Sequence, residues 1–185
     1  MASPAAGFDQ PFEMLGACHD RVRRSLQLLQ RLLAHVAEHG ASAQAQDAAR
    51  DVLRYFDVAA PAHHADEELH VIPRLMAAGD ARSVQAAQQL LADHALIQQH
   101  WQALRPLLQQ LAAGDVPARP ALASAAAAFV EVHTTHLTLE DGFAFPQAEQ
   151  RAHQEGRHAL QHMGEEMAAR RGAPVPRRRD QLSST

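Results

Sequence analysis

Apolar residues recur along this chain at intervals of three and four, and no stretch alternates apolar and polar positions with period two. That is the signature of amphipathic helices rather than strands. Punctuation by Gly and Pro divides the pattern. A first helix is predicted over about Pro11–His39 before Gly40, and a second over about Ser42–Ala78 before Gly79, with Pro61 as an internal kink or break. A third is predicted over about Asp80–Ala113 before Gly114, and a fourth begins near Pro117–Pro120 and runs through 136–146. A further helix is predicted over about 147–171. Short links between long helices make neighbours antiparallel, so the expected fold is all-α, an up-down-up-down four-helix bundle with an additional C-terminal helix. The expected divisions are a flexible N-terminus (1–10), the bundle (11–150), a helical extension (151–172) and a disordered Pro-, Arg- and Ser-rich tail (173–185).

The apolar stripes are interrupted in a regular way. In the first helix Phe12, Leu15, His19, Val22, Leu26, Leu29, Leu33 and Val36 form one stripe with a histidine inside it. In the third, Val84, Ala87, Leu91, His94, Ile97, Trp101, Leu104, Leu108 and Leu111 do the same. In the second, Phe56, Ala60, His63 and Glu67 share a face; in the fourth, Phe129, Val132, His136, Glu140 and Phe143 do. The stretches HHADEELHVIP (63–73) and HLTLEDGFAFP (136–146) repeat the pattern: His63 and His136, Glu67 and Glu140, and Pro73 and Pro146 are each 73 positions apart. The chain therefore reads as two helix pairs, each contributing a lone His and then H-x-x-x-E.

Composition sharpens this picture. The 185 residues include 13 His, an unusual excess of the commonest metal-ligating side chain. Net charge is −4, which provides no field favouring nucleic acid or a membrane surface. The single cysteine, Cys18, excludes an internal disulfide and a Cys-based zinc site. The first residues have neither the basic nor the apolar segment of a signal peptide, and no apolar run is long enough to span a bilayer, so a cytoplasmic protein is expected.

Residues i and i+4 lie one helical turn apart on one face, so each H-x-x-x-E aims an imidazole and a carboxylate at a common point. Two such pairs with His19 and His94 put four imidazoles and two carboxylates in the bundle core. Buried glutamates without partners cost several kcal/mol (about 2–7 for a polar group alone), and two at one level repel. Two bridged divalent cations remove both difficulties. Mixed nitrogen and oxygen ligands suit iron, with manganese or zinc as competitors, and the expected cofactor is a pair of Fe ions held by His19, His63, Glu67, His94, His136 and Glu140. His64 and Glu68 offer a second i,i+4 pair. The 73-residue offset favours His63 and Glu67, because His64 maps onto Leu137, and His64 is expected on another face. A ferritin-type site is disfavoured, since that class uses E-x-x-H with extra glutamates.

These residues resemble the hemerythrin-like (HHE cation-binding) family over about residues 10–150, and the ending MGEEMAARRG resembles the C-termini of its single-domain bacterial members. The resemblance implies an antiparallel four-helix bundle with a non-haem di-iron site on the same six residues. It also marks a departure: oxygen-carrying members place a second histidine one turn after the first on the third helix, where this chain has Gln98. The implied function is binding, sensing or reacting with O2, NO or peroxide. Alternatives are an iron-dependent stress-response, repair or iron-donor protein acting through a partner, and a di-iron oxidase or peroxide-consuming enzyme.

Accessory positions remain open. Tyr55, two turns before His63, is a half-buried core residue or a donor toward a ligand; Trp101 is expected in the core. Cys18 is expected buried and inert rather than redox-active. His133 is expected beside the ligands or at the surface, and His35, His39, His70, His100, His153, His158 and His162 at the surface or an interface. Arg170, Arg171 and Arg177–Arg179 are expected to be a solvated basic end rather than a nucleic-acid contact.

Overall fold

A computed structural model describes residues 7–174. It is an all-helical bundle. Helix α1 (Pro11–His39) starts with Pro at its first turn, where the missing N–H is unneeded. The second rod is segmented: α2 (Ala43–Arg54), a π-helical turn (Tyr55–Ala59), α3 (Ala60–His70) and α4 (Ile72–Ala78). The third rod is one helix, α5 (Ala81–Ala113). The fourth is α6 (Arg119–Leu139), a second π-helical turn (Glu140–Ala144) and α7 (Phe145–Glu155), followed by α8 (Arg157–Arg170). The rods touch in the cyclic order α1, α2, α5, α6 and back to α1.

Proline explains the segmentation. Pro61, Pro73 and Pro146 cannot donate the usual i→i−4 bond, and each lies in the first turn of a new segment. Before Pro61 and Pro146 the chain absorbs the mismatch as a π-helical turn, a feature common at functional sites. The sharp reversal between the second and third rods uses Gly79 at φ 74°, which only glycine adopts without strain, and then Asp80, whose carboxylate accepts from Ser83 N at 2.9 Å.

Four expectations about the rods are corrected. The break after the fourth rod falls at Gly156 rather than near 146, because the π-helical turn lets the helix continue past Pro146. That extra residue also rotates the stripe. Ala144 and Phe145 are buried, while Phe143 lies half-buried under the Arg82 guanidinium, 4.2 Å from its ring centre. In α5 the buried seam runs through Leu90 instead of Leu91, and in α1 through Leu32, with Leu33 half-buried.

The core is in two parts. One is built from Leu29, Val52, Phe56, Leu104, Leu108, Ala126 and Phe129, the other from Leu15, Leu75, Leu90, Ala148, Met163 and Met167. Met163 and Met167 come from α8, which is therefore built into the second core. Gly164 allows the close approach: a Cβ there would stand 1.9 Å from the Phe8 carbonyl oxygen. Arg170 and Arg171 do not form the free basic end expected, because both pair with Asp66. Arg170 Nε donates to Asp66 Oδ1 at 2.8 Å, and Arg171 lies 2.5 Å from Oδ2 of the fully buried Asp66. Arg177–Arg179 and the expected tail beyond 174 lie outside the described residues, as do residues 1–6 of the expected flexible N-terminus. Between the two apolar parts runs one polar layer.

Candidate metal centre

That layer contains all six residues expected from the sequence. His19 comes from α1, His63 and Glu67 from α3, His94 from α5, His136 from α6, and Glu140 from the second π-helical turn. All are buried, His94 the most accessible at 6 %. Glu67 Oε1 lies 3.0 Å from His63 Nε2 and 3.6 Å from His19 Nε2, while Oε2 lies 3.4 Å from His94 Nε2. Glu140 Oε2 lies 3.1 Å from His19 Nε2 and 3.2 Å from His136 Nε2. Two carboxylates thus sit inside a ring of four imidazoles.

The outer nitrogens fix what the inner ones can do. His19 Nδ1 is 2.7 Å from Asp141 Oδ1, and His94 Nδ1 is 2.8 Å from Glu68 Oε1. An ionised carboxylate only accepts, so these Nδ1 atoms carry the hydrogens and the Nε2 lone pairs face inward. Asp141 is itself held by Arg23. His136 Nδ1 stands 3.6 Å from Asp93 Oδ2, whose other oxygen accepts from Gln89. The acids following the two glutamates, Glu68 and Asp141, are 73 positions apart and brace the lone histidines of the opposite pair. Carboxylate–histidine bracing of this kind orients metal-binding rings and raises their basicity.

The inward atoms have no hydrogen-bond partner: Nε2 of His19, His63, His94 and His136, and both oxygens of Glu67 and of Glu140. Lone pairs facing carboxylate oxygens in a dry core are acceptors facing acceptors, and a positive charge between them, a metal ion or a proton, resolves this. Titration behaviour carries the same message. Burial and the neighbouring Glu67 charge push the Glu140 carboxyl up, whereas Glu67, despite burial, is held well below the ordinary range by His63, His19 and His94. Burial opposes a charged His19, yet the Glu140 and Glu67 carboxylates facing its Nε2 raise it to about 9. Without metal, protons must fill the positive role. The donor atoms form two four-ligand sets, His19, His63, Glu67 and Glu140, and His64, Glu67, His94 and His136, each with its atoms within 4.8 Å of one another. Glu67 belongs to both.

His64 corrects the expectation that it faces elsewhere. It is half-buried, its ring stacked on His94 at 4.3 Å and 14°. The i,i+4 rule missed it because Glu67 follows His64 by three residues. At about 100° per residue, Glu67 lies between the directions of His63 and His64 and so meets both. His70 is also not at the surface: it is buried, 3.3 Å from Glu166 of α8. His133 is buried beside Phe56 and Phe129 and bonds the Phe129 carbonyl at 2.8 Å. Cys18 is buried as expected, and half-buried Tyr55 reaches its carbonyl oxygen at 3.5 Å. Trp101 is only partly buried and donates to Asp57, which also pairs with Arg105.

A cleft of about 630 Å³ opens onto the second set, walled by His64, His94, Gln98, Trp101, Phe129 and Ala60 among others. The first set is sealed beneath Phe145, stacked on His19 at 4.6 Å.

An antiparallel bundle whose polar layer gathers imidazoles and carboxylates from all four rods defines a cation-binding helical protein. The Hemerythrin HHE cation binding domain matches residues 10–148, and the chain belongs to that family. It is similar to an uncharacterised protein of Haemophilus influenzae, 33 % identical over 106 residues, which cover 57 % of this chain and 61 % of the relative. The chain thus spans about three-fifths of that relative's length. Among the described residues no helix is long and apolar enough to cross a membrane.

Proposed function

We propose that this protein holds two iron ions between His19, His63, Glu67, His94, His136 and Glu140 and binds, senses or reacts with O2, NO or peroxide. The observation that carries this reading is the set of inward-facing buried nitrogens and carboxylate oxygens, none with a hydrogen-bond partner, in two four-ligand groups that share Glu67. Mixed imidazole and carboxylate donors suit iron, which supplies reversible one-electron chemistry and Lewis acidity when bound.

The chain's own residues do the rest. Asp141 and Glu68 hold the His19 and His94 rings in the tautomer that points Nε2 inward. The apolar layers above and below, Phe129 and Ile97 on one side and Leu15 and Phe145 on the other, exclude water and admit small uncharged molecules. The cleft beside Gln98 gives such molecules a way in. It also favours a second reading. Its volume lies within the range of sites for organic ligands (about 300–1,000 Å³), which fits an oxidase acting on a small organic molecule.

The test is metal analysis and an optical spectrum of anaerobically purified protein, then stopped-flow mixing of the reduced form with O2 and with NO. Two irons per chain and a spectral change with at least one gas are expected. A fully folded chain that holds no transition metal would overturn the proposal.

A further inference from the structure

We infer that His64 is a fifth imidazole ligand, which restores from the second rod the nitrogen that Gln98 fails to supply from the third. This rests on the two-metal reading above and concerns how the donors divide between the two positions. The 73-residue repeat assigns the second rod one inward histidine, because the position matching His64 is Leu137. The structure departs from that symmetry. A His64 ring nitrogen lies within 4.8 Å of donor atoms of Glu67, His94 and His136, while Leu137 is buried in the apolar core. The ring stacks on His94 at 4.3 Å and meets His136 edge-on at 5.8 Å.

Local helix geometry makes this possible. His63 and His64 diverge by about 100°, with Glu67 between them, so one carboxylate faces an imidazole on either flank. His63 falls in the set with His19 and Glu140, and His64 in the set with His94 and His136. The outcome is an uneven division, two imidazoles at the sealed position and three at the position beside the cleft. Gln98 and His64 both line that cleft. Position 98 is one turn after His94, so an imidazole placed there would approach the same position.

The uneven division makes a prediction that a four-histidine centre does not. Anaerobic titration with Co(II), whose visible absorption intensity depends on coordination, is carried out on the wild-type chain, His64→Ala, His64→Gln and His64→Ala/Gln98→His, with helicity followed by circular dichroism. The wild type takes up two ions. In both single variants one of the two steps loses about tenfold or more in affinity and its absorption band changes, while the other step is preserved. The double variant regains affinity. Two uptake steps with wild-type affinities and bands in folded His64→Ala would overturn the proposal while leaving the two-metal reading intact. No uptake by the wild type would overturn both. Should His64→Ala fail to fold, His64→Gln, closer in volume, decides by the same criteria.

Discussion

Asp141→Asn offers the sharpest test of how the centre is held. Asp141 accepts from His19 Nδ1 at 2.7 Å and is clamped by Arg23, so it fixes both the tautomer and the orientation of a ring whose other nitrogen faces Glu67 and Glu140. An amide in its place keeps the size, loses the charge, and can offer its N–H₂ to Nδ1, which favours the wrong tautomer. Loss of such bracing typically lowers metal affinity about 10–100-fold, or about 1.4–2.7 kcal/mol. Asp141 is 40 % exposed, so solvent screens part of its charge and the expected effect is the lower end, about tenfold. Competition against a chelator of known affinity measures it. Glu68→Gln, acting on His94 at 2.8 Å, should give a loss of similar size. The two braced histidines face the shared Glu67, so the double variant should depart from the simple sum of the two free energies. An Asp141→Asn protein with wild-type affinity at both positions would refute the reasoning, because the His19 tautomer would then not matter.

Chelation should lower the melting temperature markedly, since bound cations stabilise only the folded state and their removal leaves two carboxylates facing each other; calorimetry with and without chelator checks this. In the metal-free chain His19 titrates at about 9, above its ordinary 6.5, so its contribution is complete below pH 6.5 and is lost as pH rises through 9. Thermal scans from pH 6.5 to 10 should therefore show a fall that the metal-loaded chain, with neutral rings throughout, does not share. Asp66→Asn should destabilise by about 1–3 kcal/mol and loosen α8, because two arginines lose a buried partner; urea denaturation and protease sensitivity near Arg170 report it. Gly164→Ala, ordinarily favourable in a helix, should instead cost about 1–3 kcal/mol, since backbone at Phe8 cannot yield as a side chain would; an unchanged denaturation midpoint would show that the N-terminal segment moves aside freely.

Periodicity and spacing made the bundle and its six inward residues legible, because a helix of fixed pitch converts intervals of three, four and seven into a face. His19 and His94 stand alone in apolar stripes, and the doubled H-x-x-x-E has few other physical uses. What sequence spacing could not carry depends on contacts between distant residues or on departures from ideal pitch. The bracing of His19 by Asp141 joins positions 122 apart, and that of His94 by Glu68 spans 26. The π-helical turn at Glu140–Ala144 shifts the stripe by one residue, which buries Ala144 and leaves Phe143 half-buried. The fully buried Asp66 is paired by two arginines that only the folding back of α8 delivers to it.

The chain by itself determined that four amphipathic rods would meet around a histidine- and glutamate-bearing layer, since that follows from which residues share a helix face. Only the tertiary structure decided that His64 joins the layer, that one end is sealed by Phe145 while the other opens on a cleft, and that α8 completes the second core. These depend on how far each rod is rotated and what is laid against it, quantities set by side-chain packing between rods rather than by the period within one.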